Sequence, residues 1–289
     1  MIIEWGQRTY VMGIINVTPD SFSGDGVLES GAERVADQAR QFVADGADIL
    51  DIGGESTRPG SVPVTVEEEM RRVVPAIRAA RDAVGDVLIS VDTYRAEVAA
   101  AALAAGADWV NDIWGLRMDP AMAALVAERG CQVVIMHNRS KPKDVTQEQR
   151  LGGRYVGVHY DELIGDIRGE LAAQMEVAFA AGIREEQIIL DPGIGFGKTV
   201  EQNLELLNRL DELKDLGRPL LVGPSRKAFI GYTLDLPPSD RIEGTAAAVA
   251  IAIDRGADIV RVHDVRAIAR VAQMTDRIVR GTTSQAERT

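Results

Sequence analysis

Short apolar runs rich in β-branched residues recur about eight times along the chain, at positions 10–15, 49–50, 88–91, 109–110, 132–136, 188–190, 220–222 and 259–262. Within each run the apolar character is continuous, as in strands covered on both faces, and the stretches between the runs carry helical signals. Strands alternating with helices imply parallel crossover units. This repetition predicts an α/β fold, a single (β/α)8 TIM barrel, with its active site where the C-terminal ends of the strands converge. Residues able to do chemistry stand at or just past those ends: Asn16, Asp51, Asp92, Asn111 with Asp112, His137, Asp191, Ser225 with Lys227, and His263.

The helix ends are also readable. Ser30 with Glu33, Thr65 with Glu68 and Thr199 with Gln202 have the spacing of a capping box, in which each side chain satisfies the other's free backbone donor. Asp119-Pro120 reads as a cap followed by a first-turn proline. Three helix-to-strand joints repeat one phrase: Asp45-Gly46-Ala47-Asp48, Ala105-Gly106-Ala107-Asp108 and Arg255-Gly256-Ala257-Asp258. In each the glycine is placed to take the left-handed cap conformation before the chain turns into the sheet. Residues 139–158 break both periodicities and predict an extended, mobile βα loop. The polar residues 281–289 predict a frayed tail, which leaves 1–280 as the barrel domain.

Composition narrows the function. At 289 residues the chain is near the roughly 250 typical of one barrel, and no linker divides it. A net charge of −12 argues against nucleic acid, whose binding needs a basic face. It also means that an anionic substrate must be held by local cations. The single cysteine, Cys131, excludes an internal disulfide and fits a reducing compartment; at the start of an apolar run it reads as an inert buried thiol. The longest uncharged apolar stretch, 245–253, is far short of the roughly 20 residues that span a bilayer. With Glu4 and no basic segment before it, the N-terminus does not read as a secretory signal, so a cytoplasmic enzyme without membrane contact is expected.

Three groups carry candidate chemistry. Asp92, Asn111 and Asp191 offer two carboxylates and an amide at one mouth, which suits the ring N–H and exocyclic amine of a polar heterocycle. Alternatively, Asp92 and Asp191 cap the following helices. The second group holds anions. Ser225-Arg226-Lys227 opens a helix after the seventh run, Arg261 and His263 close the eighth, and Arg58 lies in the Ser56-Thr57-Arg58-Pro59-Gly60 loop; loops after strands seven and eight often make phosphate sites in barrels. The third group is the glycine-rich Asp191-Pro192-Gly193-Ile194-Gly195-Phe196-Gly197-Lys198-Thr199. It ends like a P-loop, but Gly193 and Gly197 are separated by three residues where that motif needs four, so the P-loop reading fails. Its glycines instead let backbone approach a flat ligand, with Phe196 either a stacking surface or a loop-packing ring.

Taken together, Asn16-Val17-Thr18-Pro19-Asp20-Ser21-Phe22-Ser23, Gly53-Gly54-Glu55-Ser56-Thr57-Arg58-Pro59-Gly60, Ser90-Val91-Asp92-Thr93, Asn111-Asp112, Met136-His137, Asp191 to Lys198, Ser225-Arg226-Lys227 and Arg261-Val262-His263-Asp264 resemble, in order and over almost the whole chain, the signature blocks of the dihydropteroate synthases. The resemblance implies condensation of 6-hydroxymethyl-7,8-dihydropterin pyrophosphate with p-aminobenzoate, giving 7,8-dihydropteroate and pyrophosphate in folate synthesis. By position it implies that Asp92, Asn111, Asp191 and Lys227 bind the pterin. Asn16, Arg58, Arg261 and His263 would contact the pyrophosphate, with Asn16 as the Mg2+ ligand. Thr57, Arg58, Phe196 and Ser225 would border p-aminobenzoate. Asp20, Arg58, Lys227, Arg261 and His263 make up the implied catalytic set, with Asp20, Thr57 and Arg58 on two closing loops. That the family is a sulfonamide target and a homodimer is implied in the same way.

Two departures stand out. Many members carry Ser after the Ser-Arg-Lys triplet, where this chain has Ala228, and the first loop reads Ser23-Gly24-Asp25-Gly26 rather than the commoner Ser-Asp-Gly-Gly. Helix N-terminal amides could replace the missing hydroxyl as a carboxylate site. The alternatives are a methyltetrahydrofolate:corrinoid methyltransferase, which would keep the pterin residues without needing Arg58, Lys227, Arg261 and His263, and a pterin-binding paralogue without synthase activity.

Overall fold

The computed structural model describes residues 3–17, 27–56, 63–141 and 144–281, with backbone only for 27–30. Ten strands are present among them: β1 (Tyr10–Asn16), β2 (Ile49–Gly53), β3 (Leu88–Asp92), β4 (Trp109–Asp112), β5 (Gln132–Met136), β6 (Val145–Glu148), β7 (Gly152–Tyr155), β8 (Ile188–Asp191), β9 (Leu221–Val222) and β10 (Ile259–Val262). Eight form one parallel sheet in the order β8-β5-β4-β3-β2-β1-β10-β9, and a parallel bridge between Leu190 and Leu220 closes it into a barrel. The helices are α1 (Val27–Ala44), α2 (Val66–Val84), α3 (Ala96–Ala105), α4 (Met122–Arg129), α5 (Leu163–Ala180), α6 (Val200–Asn208), α7 (Ala228–Leu234), α8 (Ile242–Asp254) and α9 (Val265–Val279).

Side chains alternate in and out along each strand. Tyr10, Met12, Ile49, Trp109, Val134, Ile189, Leu221 and Ile259 fill the barrel interior, while Val11, Leu50, Ile89, Val110, Val133, Ile188, Val222 and Val260 pack outward under the helices. Both sets are apolar, which is why the runs read as continuous. The interior parity passes, two or four residues on, to Asp51, Asp92, Asn111, Asp191 and Arg261. The inside of the barrel therefore changes from apolar to polar along its axis, and the polar end is the C-terminal one.

The repeated joints are built as read, and their aspartates have a role the motif did not announce. Gly46, Gly106 and Gly256 take φ of 104°, 117° and 94°, values that a residue with a Cβ rarely adopts. Asp48, Asp108 and Asp258 then accept the backbone N–H of Val11, Ile89 and Leu220 at 3.0, 2.8 and 3.0 Å. Their own N–H groups return to the carbonyls of the same three residues. At the same pole Asp276 of α9 accepts from Thr9 N and Oγ1, at 2.7 and 2.8 Å.

Thr199 and Gln202 form the complete capping box of α6. Thr65 caps α2 through Glu68 N, but the Glu68 carboxylate turns to Arg71 and Arg72 instead of back to the cap. Two expectations are corrected. Ser30 lies inside α1, which already runs from Val27, so it is no cap. Helix α4 starts two residues later than the Asp119-Pro120 signal, because Asp119 divides its carboxylate between Ala121 N and Ala96 N, the first residue of α3. The segment after β5 is also more ordered than its irregular pattern predicted. It contains the antiparallel β6–β7 hairpin, with Leu151 and Tyr155 buried and the carbonyls of Leu151 and Gly152 held by Arg241 and Tyr232. No helix among the described residues is long and apolar enough to cross a membrane.

Candidate functional site

Asp92, Asn111, Asp191, Phe196, Lys227 and Arg261 line one small cavity at the polar end of the barrel, with Ile113, Met136, Ile194 and Gly223 as its apolar walls. Strand pairing sets their spacing: Asp92 is in register with Asn111, and Asp191 with Met136. Polar atoms and flat apolar surface thus face one another across a slot.

Arg261 organises one side of that slot. Its Nε reaches Asp51 Oδ2 at 2.6 Å and its Nη2 reaches Asp92 Oδ2 at 2.6 Å, while Asn111 Nδ2 donates to Asp51 Oδ2 at 3.2 Å. Asp51 is fully buried, and these donors satisfy its Oδ2. Burial pushes the Asp92 carboxyl up to about 7 despite the nearby guanidinium, and burial likewise raises Asp191 to about 6 against the hydrogen bond from Gly193. Two carboxyls poised near neutrality at a cavity are the kind of groups found at functional sites. Asp112 plays a structural part: its carboxylate accepts from Trp114 and Leu116 N and shapes the turn after β4.

The glycine-rich segment after β8 folds into a turn. Phe196 N donates to Gly193 O at 3.1 Å, Gly193 N to Asp191 Oδ1 at 2.7 Å, and Gly195 N to Asn203 Oδ1 at 2.6 Å. Gly193 has φ of 72°, and a Cβ there would collide with the carbonyl oxygen of His137. The ring of Phe196 lies 3.9 Å from Lys227 Nζ, a cation–π contact at the cavity wall. Beneath the turn sits Lys198, 2% exposed.

The Ser225-Arg226-Lys227 segment follows β9. Ser225 is buried, and its Oγ accepts from His263 N and faces His263 Nδ1, both at 3.1 Å. Arg226 takes φ of 57°, uncommon for a residue with a side chain, and it points away from the cavity to pair with Asp264. Arg241, on the far side, donates to the carbonyls of Arg226, Lys227, Leu236 and Leu151 and holds this conformation. Helix α7, which begins at Ala228, is only seven residues long.

Of the residues singled out from the sequence, Asp92, Asn111, Asp191, Phe196, Lys227 and Arg261 come together. Ser225 and His263 pair with each other on the adjacent strand ends, and Asn16 lies exposed at the end of β1. Asp20, Thr57 and Arg58, like Ser23 to Gly26, lie outside the described residues, as does the tail from 282. Four further residues had no role assigned. Asp51 sits within β2 rather than past its end, at the same interior parity as Asp92, a signal that was readable. His137, Lys198 and Arg241 act through backbone carbonyls and neighbouring side chains, and no local spacing announces such partners. Cys131 is half-buried rather than fully buried, and burial pushes its thiol up, in keeping with an inert group.

A family model described as pterin binding enzyme matches residues 12–263. The dihydropteroate synthase of Synechocystis sp. is 50% identical over 96% of this chain and 93% of its own length, and that of Bacillus subtilis is 47% identical over 95% and 90%. Among solved structures, the Clostridium difficile dihydropteroate synthase, determined in the presence of pteroic acid, superposes with a TM-score of 0.87 at 45% identity, covering 96% of this chain and all of that one. The Xanthomonas albilineans enzyme, determined with 4-aminobenzoic acid, gives 0.83 at 40% identity over 94% and 93%. With its barrel, its polar slot and these relatives in agreement, the chain belongs to the dihydropteroate synthase family of pterin-binding enzymes.

Proposed function

We propose that this chain condenses 6-hydroxymethyl-7,8-dihydropterin pyrophosphate with p-aminobenzoate, releasing pyrophosphate and forming 7,8-dihydropteroate. The observation that carries the reading is the convergence of Asp92, Asn111, Asp191, Lys227 and Arg261 on one slot beside the flat side of Phe196. The carboxylates of Asp92 and Asp191 accept the ring N–H and amine donors of the pterin, and Asn111 complements them. Lys227 and Arg261 lend positive charge where the leaving group departs, with His263 and Asn16 at the rim and Arg58 on its loop. No nucleophile–base pair is needed: the arylamine attacks the carbon from which pyrophosphate leaves, and the protein orients both and excludes water.

The donor set fits Mg2+. Asn16 offers one neutral oxygen at a strand end, and no cluster of three His, Cys, Asp or Glu occurs among the described residues, in keeping with a cation bound mainly through substrate phosphates. Held by Asn16 and the pyrophosphate, Mg2+ would offset charge on the leaving group. A homodimer is supported by exposed apolar side chains on the outer helices, Leu204, Leu234, Ile242, Ile251, Met274 and Ile278. A cytoplasmic setting fits the lone reduced cysteine. The experiment is direct: purified protein with both substrates and Mg2+ should form dihydropteroate with stoichiometric pyrophosphate. Pterin binding without turnover would identify a non-catalytic paralogue.

A further inference from the structure

We propose that Lys198 is a positioning residue for this reaction: its buried ammonium holds the turn from Gly193 to Phe196 in the shape that presents Phe196 to p-aminobenzoate, and His137 fixes the ammonium's orientation. The proposal rests on the function assigned above and deepens it.

Lys198 is buried without a carboxylate in hydrogen-bond contact. Its Nζ faces three acceptors instead: His137 Nδ1 at 3.0 Å, Gly193 O at 3.0 Å and Phe196 O at 3.2 Å. Burial pulls the Lys198 ammonium down to about 7, while the charges of Asp191 and Glu170 hold it up; as an ammonium it has three N–H donors and no lone pair, so the match is one to one. The arrangement also dictates the state of His137. Its Nδ1 accepts from the lysine, so its proton is on Nε2, which faces Glu170 Oε2 at 3.1 Å. Burial and the neighbouring lysine push the imidazole down to about 4, in keeping with a neutral ring, and the His137 hydrogen bond pulls Glu170 down to about 2. Arg139 Nε closes the chain on Glu170 Oε1 at 2.7 Å.

The consequence falls on the turn. Gly193 O and Phe196 O point at the same nitrogen, so the turn is wrapped around a cation, while Asn203 and the Tyr160 hydroxyl hold Gly195 N and Gly197 O from outside. Asp191 is less dependent on this centre, because its backbone is fixed in the β5–β8 ladder and its carbonyl accepts His137 N. Removing the ammonium takes the buried donor from Phe196 O and from the ring nitrogen and leaves Gly193 O with the Phe196 N–H alone, so the turn must open to water or shift. Phe196 moves with it, whereas the main chain of Asp191 stays in the ladder. A lysine that merely filled space would show no such asymmetry.

The test uses the full chain with Lys198→Met, which keeps length and removes the donors. The Michaelis constant for p-aminobenzoate should rise about tenfold as the pocket loses its preformed wall. The dissociation constant for the pterin pyrophosphate should change by less than about threefold. Nitrogen NMR of the His137 ring should show the Nε2–H tautomer, with its Nδ1 signal shifted in the variant by loss of the lysine's hydrogen bond. Parental p-aminobenzoate binding, or an unchanged His137 Nδ1 signal, overturns the proposal. So does a variant that loses thermal stability and kcat while keeping both binding constants. If Lys198→Met does not fold, His137→Asn, which keeps an acceptor near the Nδ1 position, is compared with His137→Leu. A raised Michaelis constant in the leucine variant alone supports the proposal, and equal values in the two overturn it. The NMR comparison needs no turnover, so an inactive parent would sink the functional reading while the network is still judged.

Discussion

Replacing Arg261 by Met tests how much of the site's architecture depends on one buried cation. In the parent, Nε and Nη2 each lie 2.6 Å from a carboxylate oxygen, on Asp51 and Asp92. The side chains of the two acids are 0% and 10% exposed, so water is a poor substitute for the guanidinium. Truncating one partner of a buried ion pair costs about 3–5 kcal/mol, because the remaining charge keeps its desolvation penalty without the attraction that offset it. One relief is available: Asp92, already held up to about 7 by burial, takes a proton. Without Arg261 its folded-state pKa rises further above the unfolded value, so the folded variant binds more protons than the unfolded chain above about pH 4, and its stability falls as pH rises. The deficit should therefore approach 5 kcal/mol at pH 8 and shrink toward pH 5. Adding Asp51→Asn removes one of the two facing charges and should restore about 2 kcal/mol, since contacting residues couple. Urea unfolding followed by fluorescence and circular dichroism, with coincident transitions, measures all three proteins. A single variant within about 1 kcal/mol of the parent at pH 8, or a double variant no more stable than the single, would refute the reasoning.

Further outcomes are expected at the same site. Pterin affinity should weaken as pH falls below about 7 and then 6, where Asp92 and Asp191 take protons and lose acceptor capacity; Asp191→Asn should cost about 1.5–3 kcal/mol of pterin binding by calorimetry, and an unchanged affinity would leave the Asp191 carboxylate only its bond to Gly193 N, since Thr199 caps the following helix. Mg2+ should bind appreciably only with pyrophosphate present, and a tight site in the ligand-free protein would contradict the assignment of Asn16. Arg58→Ala should weaken p-aminobenzoate binding more than pterin binding, and p-aminobenzoate should bind measurably only after the pterin and pyrophosphate sites are filled; equal affinity with and without pyrophosphate would show a preformed pocket.

The barrel was legible because its evidence is local. Continuous apolar runs mark strands, glycine marks the joints, and strand parity places Asp92, Asn111, Asp191 and Arg261 at one pole. Identity of the ligand was legible only through family resemblance, since two aspartates and an asparagine also serve as caps. Partnerships that span the chain were not legible. Arg261 meets Asp51 across 210 positions and Arg241 meets Leu151 across 90; neither has a spacing signature. Lys198 was hidden differently, because Gly-Lys-Thr invites a phosphate reading and its real partners are carbonyls of its own loop. The hairpin after β5 was missed because its strands are four residues each and β6 is mostly solvent-facing.

The three aspartate joints at the closed pole bear on the order in which the barrel assembles. They close loops of 37, 19 and 38 residues, whereas Thr9 and Asp276 are 267 apart. Loop-closure entropy makes the long contact costlier by roughly 2 kcal/mol if it forms from an open chain, so neighbouring units fasten first and the ring is sealed by its two ends. The last fastening to form is then the first to loosen. Fraying at α9 would let β1 and β10 part at the far pole before the slot where the pterin sits is disturbed, and a truncated C-terminus would be felt first as slow folding rather than as lost affinity.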